Sequence, residues 1–296
     1  MTARIALCSG EWRAAVAPGV GGAIVDLSLG ARAILRPTPD GAVARREVRR
    51  TGGYPLVPYA NRIALGRFRF GGREYRLRRN FPDGAHPLHG VGWQRAWRVA
   101  AADATGCELR LEHRPRGDDA LDWPFAFDAV ETVTIGPRGL RIELRARNLE
   151  DVAVPLGFGW HPLFPRRDGQ WLRFAADGWW RNGDDELPHE AVQGLPWDAG
   201  RGLEVGERTM DNDHFGWGGE AWLVEPDGLD VRIAADPPFS VLRVFVPEGR
   251  DFLGVEPVGH VADAINRPAL RSGGMPIVAP GGCVGGAVTI GAERRA

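Results

Sequence analysis

The chain has 296 residues, 44% of them hydrophobic and 25% charged, with a formal net charge of −1. That balance is ordinary for a globular protein and gives no general attraction to nucleic acid or to a membrane surface. All 37 basic residues are arginine, which excludes lysine Schiff-base chemistry and a P-loop lysine.

Cys8, Cys107 and Cys283 are an odd number and widely spread, without the paired spacing of a zinc site or a disulfide framework. The apolar run after Met1 is too short for a signal peptide, and no segment reaches the length of a membrane span. These features predict a cytoplasmic protein in a reducing compartment, complete as written.

Along the chain, short segments of alternating apolar residues are punctuated by Gly, Pro, Asp and Asn, with 41 Gly and 23 Pro in all. This suits many strands and few long helices. The alternation predicts strands over residues 23–29, over 67–70 with a turn at Gly71-Gly72 into 75–77, and over 107–113. It continues over 130–135, 140–146, 231–234 and 241–246. Polar residues within these runs are expected to face water or a partner sheet. No 3.6-residue period is sustained and no repeat is found. Residues 1–296 are therefore read as a single all-β domain of large stacked antiparallel sheets.

Two ionisable residues stand in stretches that otherwise read as buried. His161 lies in Gly157-Phe158-Gly159-Trp160-His161-Pro162-Leu163-Phe164-Pro165, and Glu256 in Phe252-Leu253-Gly254-Val255-Glu256-Pro257-Val258. A carboxyl among apolar neighbours has a raised pKa and an imidazole exchanges protons near neutrality, so the pair is suited to general acid–base work. Each is also compatible with a hydrogen-bonded core role. A third segment, residues 52–63, carries Asn61 and Arg62 at a bend and is followed by Asn80 and by Pro87-Leu88-His89-Gly90. Asn, Arg and His on loops offer the donors and acceptors a hydroxyl-rich ligand needs. Asn61 alone is also explained as a turn residue.

Taken in order, Ala60-Asn61-Arg62-Ile63, Leu88-His89-Gly90, Gly159-Trp160-His161-Pro162 and Val255-Glu256-Pro257 resemble the aldose 1-epimerase (galactose mutarotase) family, from about Gly19 to Thr289. The resemblance implies a β-supersandwich, interconversion of the α and β anomers of a free monosaccharide, and no metal or organic cofactor. It implies Glu256 as general base, His161 as general acid, and Arg62 and His89 as substrate-binding and electrostatic residues, with Asn61 a lesser candidate. A sugar-binding carboxylate is implied within Met210–Trp217. Either Asp211 or Asp213 fits, and Asp211 keeps Gly216-Trp217 in step. Trp160 is expected to stack on a sugar face, and it stands where many galactose mutarotases have Asn, which leaves the sugar open.

Three other readings compete. A hexose-6-phosphate 1-epimerase on the same fold would use Arg45, Arg46, Arg49 or Arg50 for phosphate. A sugar-binding protein would keep the fold without turnover, and a glycoside hydrolase would need a second carboxylate. A metal site from His86, His89 and His161 is disfavoured by the intervening Pro87 and by the lack of a carboxylate partner. Oligomeric state is not legible.

Overall fold

The computed structural model describes residues 4–82, 84–206, 208–268, 270 and 273–295. Strands and five short 3₁₀ turns make up the regular structure, with no α-helix among the described residues. The all-β expectation holds, and no helix there is long and apolar enough to cross a membrane.

Two large sheets face each other. The first has eleven strands, in the order Ile5–Ser9, Trp12–Ala17, Ala23–Leu29, Gly53–Leu56, Gly159–Pro165, Phe252–Val258, Val241–Val246, Met210–Phe215, Gly178–Asn182 and Pro188–Gln193, with Arg32–Ala33 beside Ala23–Leu29. The second has nine, in the order Leu203–Glu204, Trp171–Phe174, Glu220–Val224, Leu229–Ala235, Cys283–Arg294, Gly139–Asn148, Phe127–Gly136, Gly106–His113 and Arg98–Ala102.

Alternation explains how the sheets meet. Along Phe127–Gly136 buried residues recur at every second position, so Phe127, Ala129, Val133 and Ile135 point one way into the core. Trp160, Leu242, Val244, Leu253 and Val255 from the first sheet join the same core. Fully burying a large apolar side chain is worth about 1.5–3 kcal/mol, so this shared layer is what holds the sheets together.

The predicted strands are present, several of them extended by a few residues: 107–113 is Gly106–His113, 130–135 is Phe127–Gly136, and 140–146 is Gly139–Asn148. Arg67–Phe70 and Arg73–Arg76 turn at Gly71-Gly72 as expected but form a separate two-stranded sheet.

Arg243 departs from the expectation that polar residues in the runs face water or the partner sheet. It is only 2% exposed, and its neighbours Leu242 and Val244 take the inter-sheet face. Its own face of the first sheet is covered by a second apolar cluster that includes Tyr54, Leu56, Ala60, Trp93, Val258 and Val261. The site lies on this covered face.

Candidate functional site

The register of the first sheet places five polar side chains in one row across its middle strands. Tyr54 pairs with His161, Glu256 with Arg243, and Arg243 with Asp213. Gly159 faces Val258 and Leu163 faces Gly254, so His161, midway between them, lies abreast of Glu256. Residues abreast on antiparallel strands share a face. The row Tyr54, His161, Glu256, Arg243, Asp213 therefore follows from strand pairing, and rigid sheet carries it.

A pocket opens over this row, lined by Tyr54, Asn61, Arg62, His89, His161, Asp211, Arg243 and Glu256, with Arg49, Phe81, Leu88, Leu163, Phe245 and Phe252. All six residues proposed from the sequence line it: Asn61, Arg62, His89, His161, Asp211 and Glu256.

His161 Nε2 lies 3.3 Å from Glu256 Oε1. His161 is 6% and Glu256 1% exposed, while His161 Nδ1 and Glu256 Oε2 have no hydrogen-bond partner within the protein. Burial is the main influence on both. It raises the Glu256 pKa well above the usual carboxylate value, with Arg243 pulling the other way and Asp211 and Asp213 adding to the rise. It lowers His161 to about 3, helped by Arg36, Arg243 and Arg49. Both shifts favour the uncharged forms, a protonated Glu256 beside a neutral imidazole.

Arg243 is tied to two carboxylates, Nη1 to Asp213 Oδ1 at 2.8 Å and Nη2 to Asp211 Oδ1 at 2.5 Å. Its burial works to lower its pKa, but Asp211, Asp213 and Glu256 together outweigh that and leave it raised. The second oxygen of Asp213 accepts a bond from the Ala262 N–H at 2.6 Å, and Asp213 is buried and absent from the pocket lining. Of the two candidate carboxylates, Asp211 is the one that reaches the pocket.

Arg62, Asn61 and His89 are set by two left-handed turns. Asn61 and His89 both have φ of 60°, a conformation Asn and His adopt more readily than most residues. The Asn61 N–H donates to His89 Nδ1 at 3.0 Å and the His89 N–H to the Asn61 carbonyl at 2.8 Å. Burial, aided by His161 and Arg62, holds the His89 pKa well below its ordinary value. With Nδ1 accepting, the ring proton sits on Nε2, and His89 is a neutral donor to the pocket. Arg62 Nη1 donates to Asn61 Oδ1 at 3.2 Å, and Nη2 pairs with Glu186 at 2.9 Å. Asn80 braces the turn through the Leu88 and Gly90 carbonyls and the Leu88 N–H.

Trp160 does not reach the pocket, contrary to expectation. It is one residue from His161 on an extended strand, so alternation turns it into the inter-sheet core. The aromatic walls are Tyr54, Phe81, Phe245 and Phe252, and Tyr54 packs on the His161 ring at 4.7 Å. The His86–His89–His161 metal grouping is also not assembled. His86 accepts from the Leu65 N–H at 2.8 Å and its Nε2 meets the Asp185 carbonyl at 3.0 Å, so both nitrogens are occupied outside the pocket.

Sequence reading missed Arg243, and it named Asp213 only as the alternative to Asp211, not as the partner of Arg243. A signal existed: in Val241-Leu242-Arg243-Val244-Phe245-Val246 a lone arginine interrupts a run apolar on both faces. Such a charge needs buried partners, and Asp211-Asn212-Asp213 offers two carboxylates at the spacing of one strand face.

The family model for aldose 1-epimerase matches residues 3–281. YphB of Escherichia coli (strain K12) is 30% identical over 239 residues, 77% of this chain and 79% of that protein. Among solved structures, an Escherichia coli K12 protein crystallised as a candidate aldose 1-epimerase superposes with a TM-score of 0.88 at 27% identity, over 99% of both chains. A galactose mutarotase-like protein from Clostridium acetobutylicum gives 0.85 at 18% identity, over 98% of this chain and 95% of its own. The match spans nearly every strand described above, and the chain belongs to the aldose 1-epimerase family.

Proposed function

We propose that the protein is a mutarotase that interconverts the α and β anomers of a free aldose, with Glu256 and His161 as its proton-transfer pair. The observation that carries this reading is their 3.3 Å approach at the base of a pocket lined by Arg62, His89 and Asp211.

Ring opening needs a base for the C1 hydroxyl proton and an acid for the ring oxygen. With the pair's shared proton moved from Glu256 to His161 across their 3.3 Å contact, the Glu256 carboxylate takes the hydroxyl proton, the C1–O5 bond breaks as C1=O forms, and protonated His161 supplies the proton that O5 gains. The open chain then faces protonated Glu256 and neutral His161, the forms that burial favours. After rotation about C1–C2 the same two groups run the step backwards and close the other anomer. The proton count of the pair never changes, so opening and closing differ only in which member carries the proton. His89 Nε2–H and Arg62 are placed to stabilise charge on sugar oxygens, a preorganised contribution that is often large. Asp211, braced by Arg243, accepts from sugar hydroxyls.

A pH expectation follows. Activity requires one proton on the pair, so the acid limb of kcat/KM comes when His161 takes up a second, well below the ordinary imidazole value and toward about 3. The alkaline limb comes when the pair loses its proton, well above the ordinary carboxylate range. The acid limb should therefore lie well below the unperturbed imidazole pKa of about 6.5; an acid limb centred there would contradict the shared-proton account.

One observation supports a phosphorylated aldose as the second reading. Arg49 lines the pocket over the Phe81 ring at 4.3 Å, and no carboxylate among the described residues pairs with it. Arg45 and Arg50 are instead tied to Glu47. Polarimetry or NMR exchange with glucose, galactose and glucose 6-phosphate tests both readings. If the phosphate reading holds, glucose 6-phosphate is preferred and Arg49→Ala removes the preference by about tenfold or more, the loss of one charge-assisted contact. Equal rates on both glucose forms, unchanged by Arg49→Ala, leave the free aldose as substrate.

A further inference from the structure

Behind the pocket, on the second sheet and across the shared core, lies a carboxyl that the chemistry above does not use. Glu131 is in the middle of Phe127–Gly136, between Leu109 and Leu144 on the neighbouring strands, and is 0% exposed. It points across the core at the first sheet. A Cβ added at Gly22, whose φ is 69°, would lie 2.6 Å from Glu131 Oε2 and 3.4 Å from the Trp97 ring. Only a glycine there lets the carboxyl in.

The polar surroundings of Glu131 are sparse. Trp97 Nε1 is already donated to the Gly92 carbonyl at 2.9 Å. From Gly106–His113 the titratable group is Cys107, whose thiol is pushed up to about 12 by burial and then by Glu131, so it stays neutral. From Gly159–Pro165 the group is the Trp160 indole N–H, which acts to lower the Glu131 pKa. Yet neither Glu131 oxygen nor Trp160 Nε1 completes a hydrogen bond of ordinary geometry. Burial dominates and pushes Glu131 up to about 8. No charged side chain among the described residues acts on it.

Trp160 links this carboxyl to the site. It immediately precedes His161, and its ring packs so closely under Gly53 that a Cβ there would lie 2.8 Å from Trp160 Cη2. Gly53 in turn precedes Tyr54, whose ring packs on His161. A displaced indole therefore moves both strands that carry the His161–Tyr54 pair.

We propose that Glu131 is a positioning residue: buried between the sheets, its carboxyl seats the Trp160 indole, and through Trp160 it fixes the strand that presents His161. This rests on the reading of His161 and Glu256 as the proton-transfer pair. Glutamine keeps the neutral form and an acceptor for the indole, whereas leucine keeps the bulk and removes the acceptor. A small displacement of a reacting group is enough to cost a large factor in rate.

The test joins kinetics to a spectroscopic reading of Trp160. Its indole ¹⁵N–¹H resonance, identified by its loss in Trp160→Phe, should shift with a midpoint near pH 8. The shift should persist in a Glu256→Gln background and vanish in Glu131→Gln. Mutarotation by Glu131→Leu at pH 7 should show kcat down about tenfold with KM little changed, and Glu131→Gln should restore kcat to within about twofold of wild type.

An indole resonance that does not titrate, or that still titrates in Glu131→Gln, overturns the proposal, as does wild-type kcat in Glu131→Leu. If Glu131→Leu does not fold, the resonance and the Glu131→Gln variant still decide the case. Absence of mutarotation in the wild type is a different failure: it removes the pair's assigned reaction, while the resonance separately reports whether Glu131 seats Trp160.

Discussion

Glu256→Gln should lower kcat by about 10²–10⁴-fold, the range a positioned general acid or base contributes, with KM changed by no more than a few fold. The prediction is sharp because the substitution is nearly silent for the fold. Burial favours the neutral form of the Glu256 carboxyl, and the amide is a neutral group of the same shape that adds no buried charge. The row in which it sits, from Tyr54 through His161 to Arg243, is set by strand pairing that the amide does not disturb. What disappears is the ability to take the C1 hydroxyl proton and return it. Unfolding midpoints in urea should match the wild type, while steady-state kinetics should not. Retention of more than about a tenth of wild-type kcat would remove Glu256 from the base role.

The second large effect is on stability. Arg243→Met should cost about 3–5 kcal/mol, the usual penalty for removing one partner of a buried ion pair. Arg243 is the cation between Asp211 and Asp213, at 2.5 and 2.8 Å, and methionine would leave Asp213 charged and buried against Ala262. Adding Asp213→Asn removes that stranded charge while keeping an acceptor for the Ala262 N–H, so the double variant should recover part of the loss. Urea unfolding of the wild type, both single variants and the double variant measures the coupling directly. A loss below about 1 kcal/mol in Arg243→Met, the scale of a solvated surface pair, would mean that the cluster is not the structural centre of the site.

Much of this arrangement is legible in the amino-acid sequence. Period-two alternation located the strands at 23–29 and 241–246 to the residue, because half-buried strands announce which side faces the core. The motif residues were legible for a different reason: His89, His161 and Glu256 stand beside Gly or Pro in apolar surroundings, where a polar side chain is conspicuous. Pairing between strands distant in sequence was not legible. Arg243 looked like one more solvated polar residue until the register set it between Glu256 and Asp213. The same register turned Trp160 away from the pocket and distinguished Asp211, which lines it, from Asp213, which anchors Arg243. Glu131 shows the limit most clearly. It sits in Val130-Glu131-Thr132-Val133 like any polar strand residue, and only the packing of one sheet on the other reveals a fully buried carboxyl behind His161.

The most direct test of the central claim is the decay of optical rotation in freshly dissolved α-D-galactose and α-D-glucose at pH 7, with wild-type protein, with Glu256→Gln, and with neither. The account predicts acceleration by the wild type on at least one aldose and its loss, by about 10²-fold or more, in the variant. Equal acceleration by wild type and Glu256→Gln would contradict the assignment of the proton-transfer pair, and no acceleration on these sugars or on glucose 6-phosphate would contradict mutarotation itself.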